Sequence, residues 1–158
     1  MELSRWRVSA KGEIGKEVSP AADRSFHIVC LDDHKLFHTA ISEYCIKPFF
    51  PIARLELLTN GDAAYQYIKT QIDLRQRIDL FITDINHPGL RGDELIRKIR
   101  AYEQKMSVGF RIPVVVITMM EYAFVPGLVG AGLNLVDCYF SKTAEASEIV
   151  DGIEDILY

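Results

Sequence analysis

Two adjacent carboxylates, Asp32 and Asp33, close one apolar run of the sequence, and a third, Asp84, closes another. Thr118 closes a third run, and Lys142 follows a fourth. If these ends converge, three carboxylates share one site, and at an effective dielectric near 20 each pair about 4 Å apart repels by on the order of 4 kcal/mol. Such a cluster relieves itself by holding a proton at a raised pKa or by binding a cation. Its donors are oxygens with no evident Cys or His ligand, which suits a hard dication. Magnesium keeps several waters and uses one or two carboxylates. Asp33 and Asp84 read as direct ligands and Asp32 as a ligand through water. A cation so placed also holds a phosphate oxygen. Asp84 then becomes the candidate nucleophile, because carboxylates form acyl-phosphate intermediates. Lys142 and the Thr118 hydroxyl are left to neutralise the other oxygens of a transferring phosphoryl group.

The elements that must position these residues alternate. Residues 26–31 form a short apolar run, fit for a buried parallel strand. Leu36, Phe37, Ala40, Ile41, Tyr44 and Cys45 then recur at helical spacing up to Lys47-Pro48. Residues 52–59 read as a second strand, and Asn60-Gly61-Asp62 as the turn and cap of a helix to about Gln71. A third strand, 78–83, precedes Asp84, and Asp93 to Met106 reads as a helix. A fourth strand, 113–117, leads to a less regular helix over 121–131, disturbed by Pro126-Gly127. Residues 136–140 are a fifth strand, and a closing helix spans 144–157. Five strands and five helices in strict alternation predict an α/β fold, a doubly wound five-stranded parallel sheet. Ligands of such sheets bind beyond the carboxyl ends of the strands, where the polar residues fall.

Composition narrows the function classes. The chain has 158 residues, the length of one domain, and 49% of them are hydrophobic, enough to bury a core. A formal net charge of −4 argues against a dedicated nucleic-acid binder. Cys30, Cys45 and Cys138 show no metal-site spacing and read as buried hydrophobes of a reducing cytosol. No apolar stretch approaches the length of a membrane span, so a soluble, cytoplasmic protein with no membrane contact is expected. Residues 1–25 differ from the rest: they are polar, and a flexible leader preceding a domain over 26–158 is the favoured reading. Within that leader Trp6, Val8 and Ala10 alternate with polar residues at strand period.

The set Leu31-Asp32-Asp33-His34, Asp84-Ile85-Asn86-His87-Pro88-Gly89-Leu90-Arg91-Gly92, Ile117-Thr118 and Tyr139-Phe140-Ser141-Lys142 resembles the receiver domain of bacterial two-component response regulators. Its Asp-Asp-His start and Pro-Gly-Leu turn resemble most the receivers of NarL/LuxR-type regulators. The similarity runs from about Phe26 to Leu157. It implies a flavodoxin-like (βα)5 fold and a switch rather than an enzyme, in which Asp84 receives a phosphoryl group from a histidine kinase or phosphotransfer protein. It further implies Mg2+ held by Asp32, Asp33, Asp84 and the backbone carbonyl of Asn86. Thr118 and Tyr139 are implied as the residues that move on phosphorylation. The implied partner face, for a downstream protein or a second copy, is built from the fourth helix, fifth strand and fifth helix. No direct contact with nucleic acid is implied.

Four positions depart from that pattern. His87 replaces an apolar residue and reads as an exposed turn histidine. Met119 replaces a small residue and is expected to crowd the phosphoryl site; with Met120 it predicts a long-lived phosphorylated state. Thr143 replaces a proline after Lys142, which predicts a different loop geometry there. The link from Leu133 into the fifth strand is long. In the helix over 121–131, Tyr122, Phe124, Val125, Leu128 and Val129 cannot all face the sheet, so a partner surface and a helix under a loop stay open. Two other functions stay open: a phosphorylation-independent receiver-like binding module, and a small metal-dependent phosphohydrolase on the same architecture. No sequence follows Leu157 for an output domain, which leaves a receiver signalling through partners or one separated from its output.

Overall fold

A computed structural model describes residues 25–120, 128 and 135–158, together with the backbone at 6–8 and 14–16. Ahead of residue 25, β1 (Trp6–Val8) and β2 (Ile14–Lys16) pair antiparallel as a sheet of their own. The main sheet holds β3 (His27–Leu31), β4 (Arg54–Leu58), β5 (Leu80–Thr83), β6 (Val114–Thr118) and β7 (Cys138–Ser141). All five are parallel, in the order β4-β3-β5-β6-β7. Every residue of β3, β5 and β6 is buried, which is why these strands are apolar without alternation. The edge strand β4 is covered only in part, with Arg54 and Leu57 exposed and no residue fully buried.

Four helices are described: α1 (Lys35–Ala40), α2 (Gly61–Asp73), α3 (Gly92–Met106) and α4 (Ala146–Leu157). The turn from α1 widens into a π-helical stretch, Ile41–Ile46, closed by the Lys47 amide donating to the Ser42 carbonyl. Asn60 caps α2, its side-chain oxygen accepting from the Asp62 and Ala63 amides. The predicted helix over 121–131 lies outside the described residues except for Leu128, which is buried.

The sheet separates two cores. Val29, Leu31, Phe81, Val114 and Val116 pack with α2 and α3 residues on one face. Ile28, Cys30, Leu80, Ile82, Val115 and Ile117 pack on the other, with Ile41 and Cys45 of the π-helical stretch and Ile149 and Ile153 of α4. All five strands start later than the sequence suggests, β4, β5 and β7 by two residues. Pro51 and Ile52 form a turn closed by the Ala53 amide on the Phe50 carbonyl, and the Asp79 carboxylate accepts the His27 amide, holding the start of the β3–β5 ladder by a side chain.

Candidate functional site

The ladder itself sets the polar residues side by side. Leu31 pairs with Leu58 and Thr83, Thr83 with Val116, and Thr118 with Ser141. One step beyond those pairs, the Asp32 amide donates to the Leu58 carbonyl, the Asp84 amide to Leu31, and the Lys142 amide to Thr118. Neighbouring strands are about 4.8 Å apart, so Asp32, Asp84, Thr118 and Lys142 necessarily emerge in a row at the carboxyl rim.

Lys142 joins the row. Its Nζ lies 2.5 Å from Asp32 Oδ2 and 2.6 Å from Asp84 Oδ2, and 4.6 Å from the centre of the Phe37 ring. Asp32 is wholly buried and Asp84 nearly so. Burial pushes the Asp84 carboxyl up, but hydrogen bonds from Lys142 and Thr118 and from the Ile85 amide outweigh it and hold the pKa below the usual carboxylate range. Burial likewise pushes Lys142 down, and its two carboxylates outweigh that and hold it above the usual lysine value. Thr118 is buried beside Asp84, and its Oγ1 accepts the Met120 amide at 3.3 Å. The Ser141 and Thr143 hydroxyls are paired at 2.8 Å in the turn that presents Lys142. Thr143 follows Lys142 without a cis bond, and the lysine reaches both acids from that geometry.

The loop after β5 folds back on its own strand end. The Asp84 Oδ1 atom accepts the Ile85 amide at 2.6 Å and the Asn86 amide at 3.4 Å, so the exposed Asn86 stays at the rim. Gly92 permits the return, because a Cβ there would lie 2.2 Å from the Asp84 carbonyl oxygen. Gly89 takes a positive φ of 79° and packs on Asn60 and Asp62 at the start of α2. His87 is half-buried against Gly61 rather than exposed as a turn histidine, because this docking closes over its ring.

The carboxylates do not form the expected trio. Among the described residues, the ligand atoms that gather within 4.8 Å of one another come from Asp32, Asp33 and His34; Asp84 is tied to Asp32 through Lys142 instead. His34 Nδ1 lies 3.1 Å from Asp32 Oδ1 and 3.1 Å from Asp33 Oδ1, and the His34 amide donates to Asp32 Oδ1 at 2.8 Å. The His34 imidazole thus stands against the two adjacent acids. The signal was present in the Asp-Asp-His run, but the side-chain direction at the cap of α1 is decided by folding. Sequence reasoning also missed Phe37 as the ring beside Lys142, because at helical spacing it reads as core. It missed His38, buried on α1 with Nε2 lacking a hydrogen-bond partner; burial holds its pKa below the usual histidine value.

Tyr139 is half-buried on β7, and its hydroxyl donates to the Met120 carbonyl, which links that strand to the segment just after Thr118. Met119 is 67% exposed; crowding of the site would require it to be buried against the rim.

The donors present fit a dication. They are carboxylate oxygens, and Asp32, Asp33 and Asp84 bring three negative charges to the single ammonium of Lys142.

No protein-family model matches the chain, and no curated protein matches it. Solved structures do. The receiver domain of a sensor histidine kinase from Pseudomonas aeruginosa, with a magnesium ion coordinated in its active site cleft, is 23% identical. The match covers 85% of this chain and 98% of that one at a TM-score of 0.63. The chain has the receiver-domain fold. The receiver of a histidine kinase from Arabidopsis thaliana, complexed with Mg2+ and BeF3−, matches at 18% identity and a TM-score of 0.68, covering 83% of this chain and 89% of that one. The signal receiver domain of the putative response regulator NarL from Mycobacterium tuberculosis matches at 22% and 0.62, over 85% and 97%. No helix among the described residues is long and apolar enough to cross a membrane.

Proposed function

We propose that this chain is a phosphoacceptor switch: Asp84 takes a phosphoryl group from the phosphohistidine of a histidine kinase or phosphotransfer protein. The observation that carries this reading is the ammonium of Lys142 bridging Asp84 and Asp32 at 2.6 and 2.5 Å on the carboxyl rim of a receiver fold. A carboxylate held ionised at neutral pH is ready to attack. One Asp84 oxygen forms the new bond to phosphorus as the bond to the donor imidazole breaks. Lys142 then exchanges its contact with the carboxylate for one with a phosphoryl oxygen, and Thr118 donates to another.

Asp32, Asp33, Asp84 and the Asn86 carbonyl are the residues that would hold Mg2+. When bound, the ion supplies neutralisation of the developing phosphoryl charge. The Tyr139 hydroxyl sits two residues from Thr118 in the chain segment it contacts, which supports Tyr139 and Thr118 as the pair that carries the change to the face beside β7 and α4. That face would bind a downstream protein or a second copy. In this reading the chain turns over no external substrate beyond its own phosphoryl gain and loss. It works in the cytoplasm without touching nucleic acid, with 1–25 as a leader to the domain over 26–158.

Incubation with acetyl phosphate followed by intact-mass measurement tests the proposal. One added phosphate is expected with Mg2+ and none without it, and Asp84→Asn is expected to abolish it. No addition in any condition would move the reading to a phosphorylation-independent binding module.

A further inference from the structure

Lys142 reaches its carboxylates from a distance. It follows β7, yet its ammonium meets Asp84 beyond β5 and Asp32 beyond β3, so its side chain extends past the end of β6. A lysine does this on a flexible four-carbon stem with much rotamer freedom to lose. In the resting site two carboxylates pin the ammonium, and a third neighbour is a ring: Nζ stands over Phe37, 4.6 Å from its centre. A cation within roughly 6 Å of a ring centre is attracted by the negative face of the π-system, and the more so when water is kept away. The Lys142 side chain is only 13% exposed. Phe37 is itself held in place. Its amide donates to the His34 carbonyl at 3.0 Å in the first turn of α1, and its half-buried side chain packs against the core that includes Ile41 and Ile149.

These neighbours fare differently during phosphoryl transfer. Both carboxylates are shared with the cation of the proposed site, and Asp84 gives up its charge when one of its oxygens bonds phosphorus. The ammonium must then leave Asp84 for a phosphoryl oxygen. The Phe37 ring binds neither the ion nor the phosphoryl group, so nothing in the reaction competes for it. We infer that Phe37 is a positioning residue for Lys142: its ring holds the ammonium at the rim while the contact passes from Asp84 to the phosphoryl oxygen. Attraction to a ring face is broad and lacks the direction of a hydrogen bond, so the ammonium shifts between the two oxygens without losing it. Phe37 acts only through the lysine. The inference rests on the phosphoacceptor reading and adds one residue to its machinery.

The rate of phosphate gain from acetyl phosphate at saturating Mg2+, followed by intact mass on the full chain, tests this. It is measured for the wild type, for Phe37→Leu, and for chains in which the Phe37 ring carries one, two or three fluorines. Leucine keeps an apolar side chain and removes the π-face. Fluorine draws charge out of the ring face while leaving its shape and apolar character nearly unchanged, so packing is held constant as the attraction to the ammonium weakens. Phe37→Leu is expected to slow the reaction by about 2–30-fold, the rate equivalent of one ring–ammonium contact. The fluorinated chains are expected to slow stepwise towards the leucine rate. A trifluorinated chain that gains phosphate as fast as the wild type would overturn the inference and leave Phe37 as a packing residue, whether or not Phe37→Leu is slow. That outcome leaves the phosphoacceptor reading intact, because Asp84 is still modified. A wild type that gains no phosphate would overturn that reading and this inference with it.

Discussion

The two ends of the sheet hold charge in opposite ways. At the amino end, Arg100 lies beneath β6 and β7 with all three guanidinium nitrogens donating: to the Leu135 carbonyl at 2.8 and 3.1 Å, to the Ile112 carbonyl at 2.8 Å and to Glu103 at 2.9 and 3.1 Å. Glu103 in turn accepts the Ile112 amide, and Asp137 accepts the Val114 amide and a two-point contact from Arg111. Two cations meet two anions, and each carboxylate also accepts a backbone amide at or just before the start of β6. At the carboxyl end, Lys142 meets the carboxylates of Asp32 and Asp84, with Asp33 one residue away and the exposed His34 ring against the two adjacent acids. The first arrangement is one a fold uses to hold itself together. The second leaves three carboxylates to one ammonium at the carboxyl rim, where ligands of such sheets bind.

Breaking the amino-end network is expected to have the largest effect. Arg100→Met leaves the Glu103 carboxylate buried without its cation, and loss of one partner of a buried pair costs about 3–5 kcal/mol. Urea unfolding should show that loss, and addition of MgCl2 should not change it.

Lys142→Met is expected to cost about 1.5–3 kcal/mol in metal-free buffer, the worth of hydrogen bonds to charged groups. Here MgCl2 should restore part of the loss, because a dication answers the same carboxylates. A Mg2+ response in Arg100→Met, or none in Lys142→Met, would erase the contrast between the two ends. The same variant should alter the acid limb. A carboxyl whose folded pKa is depressed, as that of Asp84 is, adds stability that is present above its ordinary value of 3.8 and is lost as pH falls through the lower folded value. Without Lys142 the depression shrinks, so the wild type should lose more stability than the variant between neutral pH and about pH 3. Lys142, held above its ordinary 10.5, loses its own contribution only as pH rises past that value.

Asp33→Asn is expected to have the smallest effect and the opposite sign. Removing one of the excess charges at a part-exposed site should raise metal-free stability by up to about 1 kcal/mol, measured by thermal unfolding. The gain should turn into a deficit when Mg2+ is added, because the wild type then gains a ligand that the variant binds poorly. A destabilised Asp33→Asn in the absence of metal would mean that the rim is as fully balanced as the amino end.

Much of this contrast was legible before folding. Runs such as Val114–Thr118 are apolar throughout because both faces are covered, and their spacing with the helical segments predicted a parallel sheet with the acids at strand ends. Asp32, Asp84, Thr118 and Lys142 were found for that reason, and the register confirms their common rim. The start of β5 was not legible, since Ile78 is as apolar as a strand residue and only the Asp79 contact to His27 marks the change. His87 read as exposed because a residue in a Pro-Gly turn ordinarily is. It is half-buried because that turn docks on α2, a contact between segments far apart in sequence.

The sequence by itself determined which residues stand at the rim, since strand period and strand order follow from local apolar pattern and short connections. Only the tertiary structure decided which of them touch. Lys142 comes from the last strand end and Asp32 from the first, and their meeting depends on β3, β5 and β6 lying between β4 and β7 in one twisted sheet. Whether His34 faces solvent or turns back onto Asp32 and Asp33 depends on the backbone angles at the start of α1. A local pattern cannot specify those angles, because they are set by the packing of the helix against the core on that face.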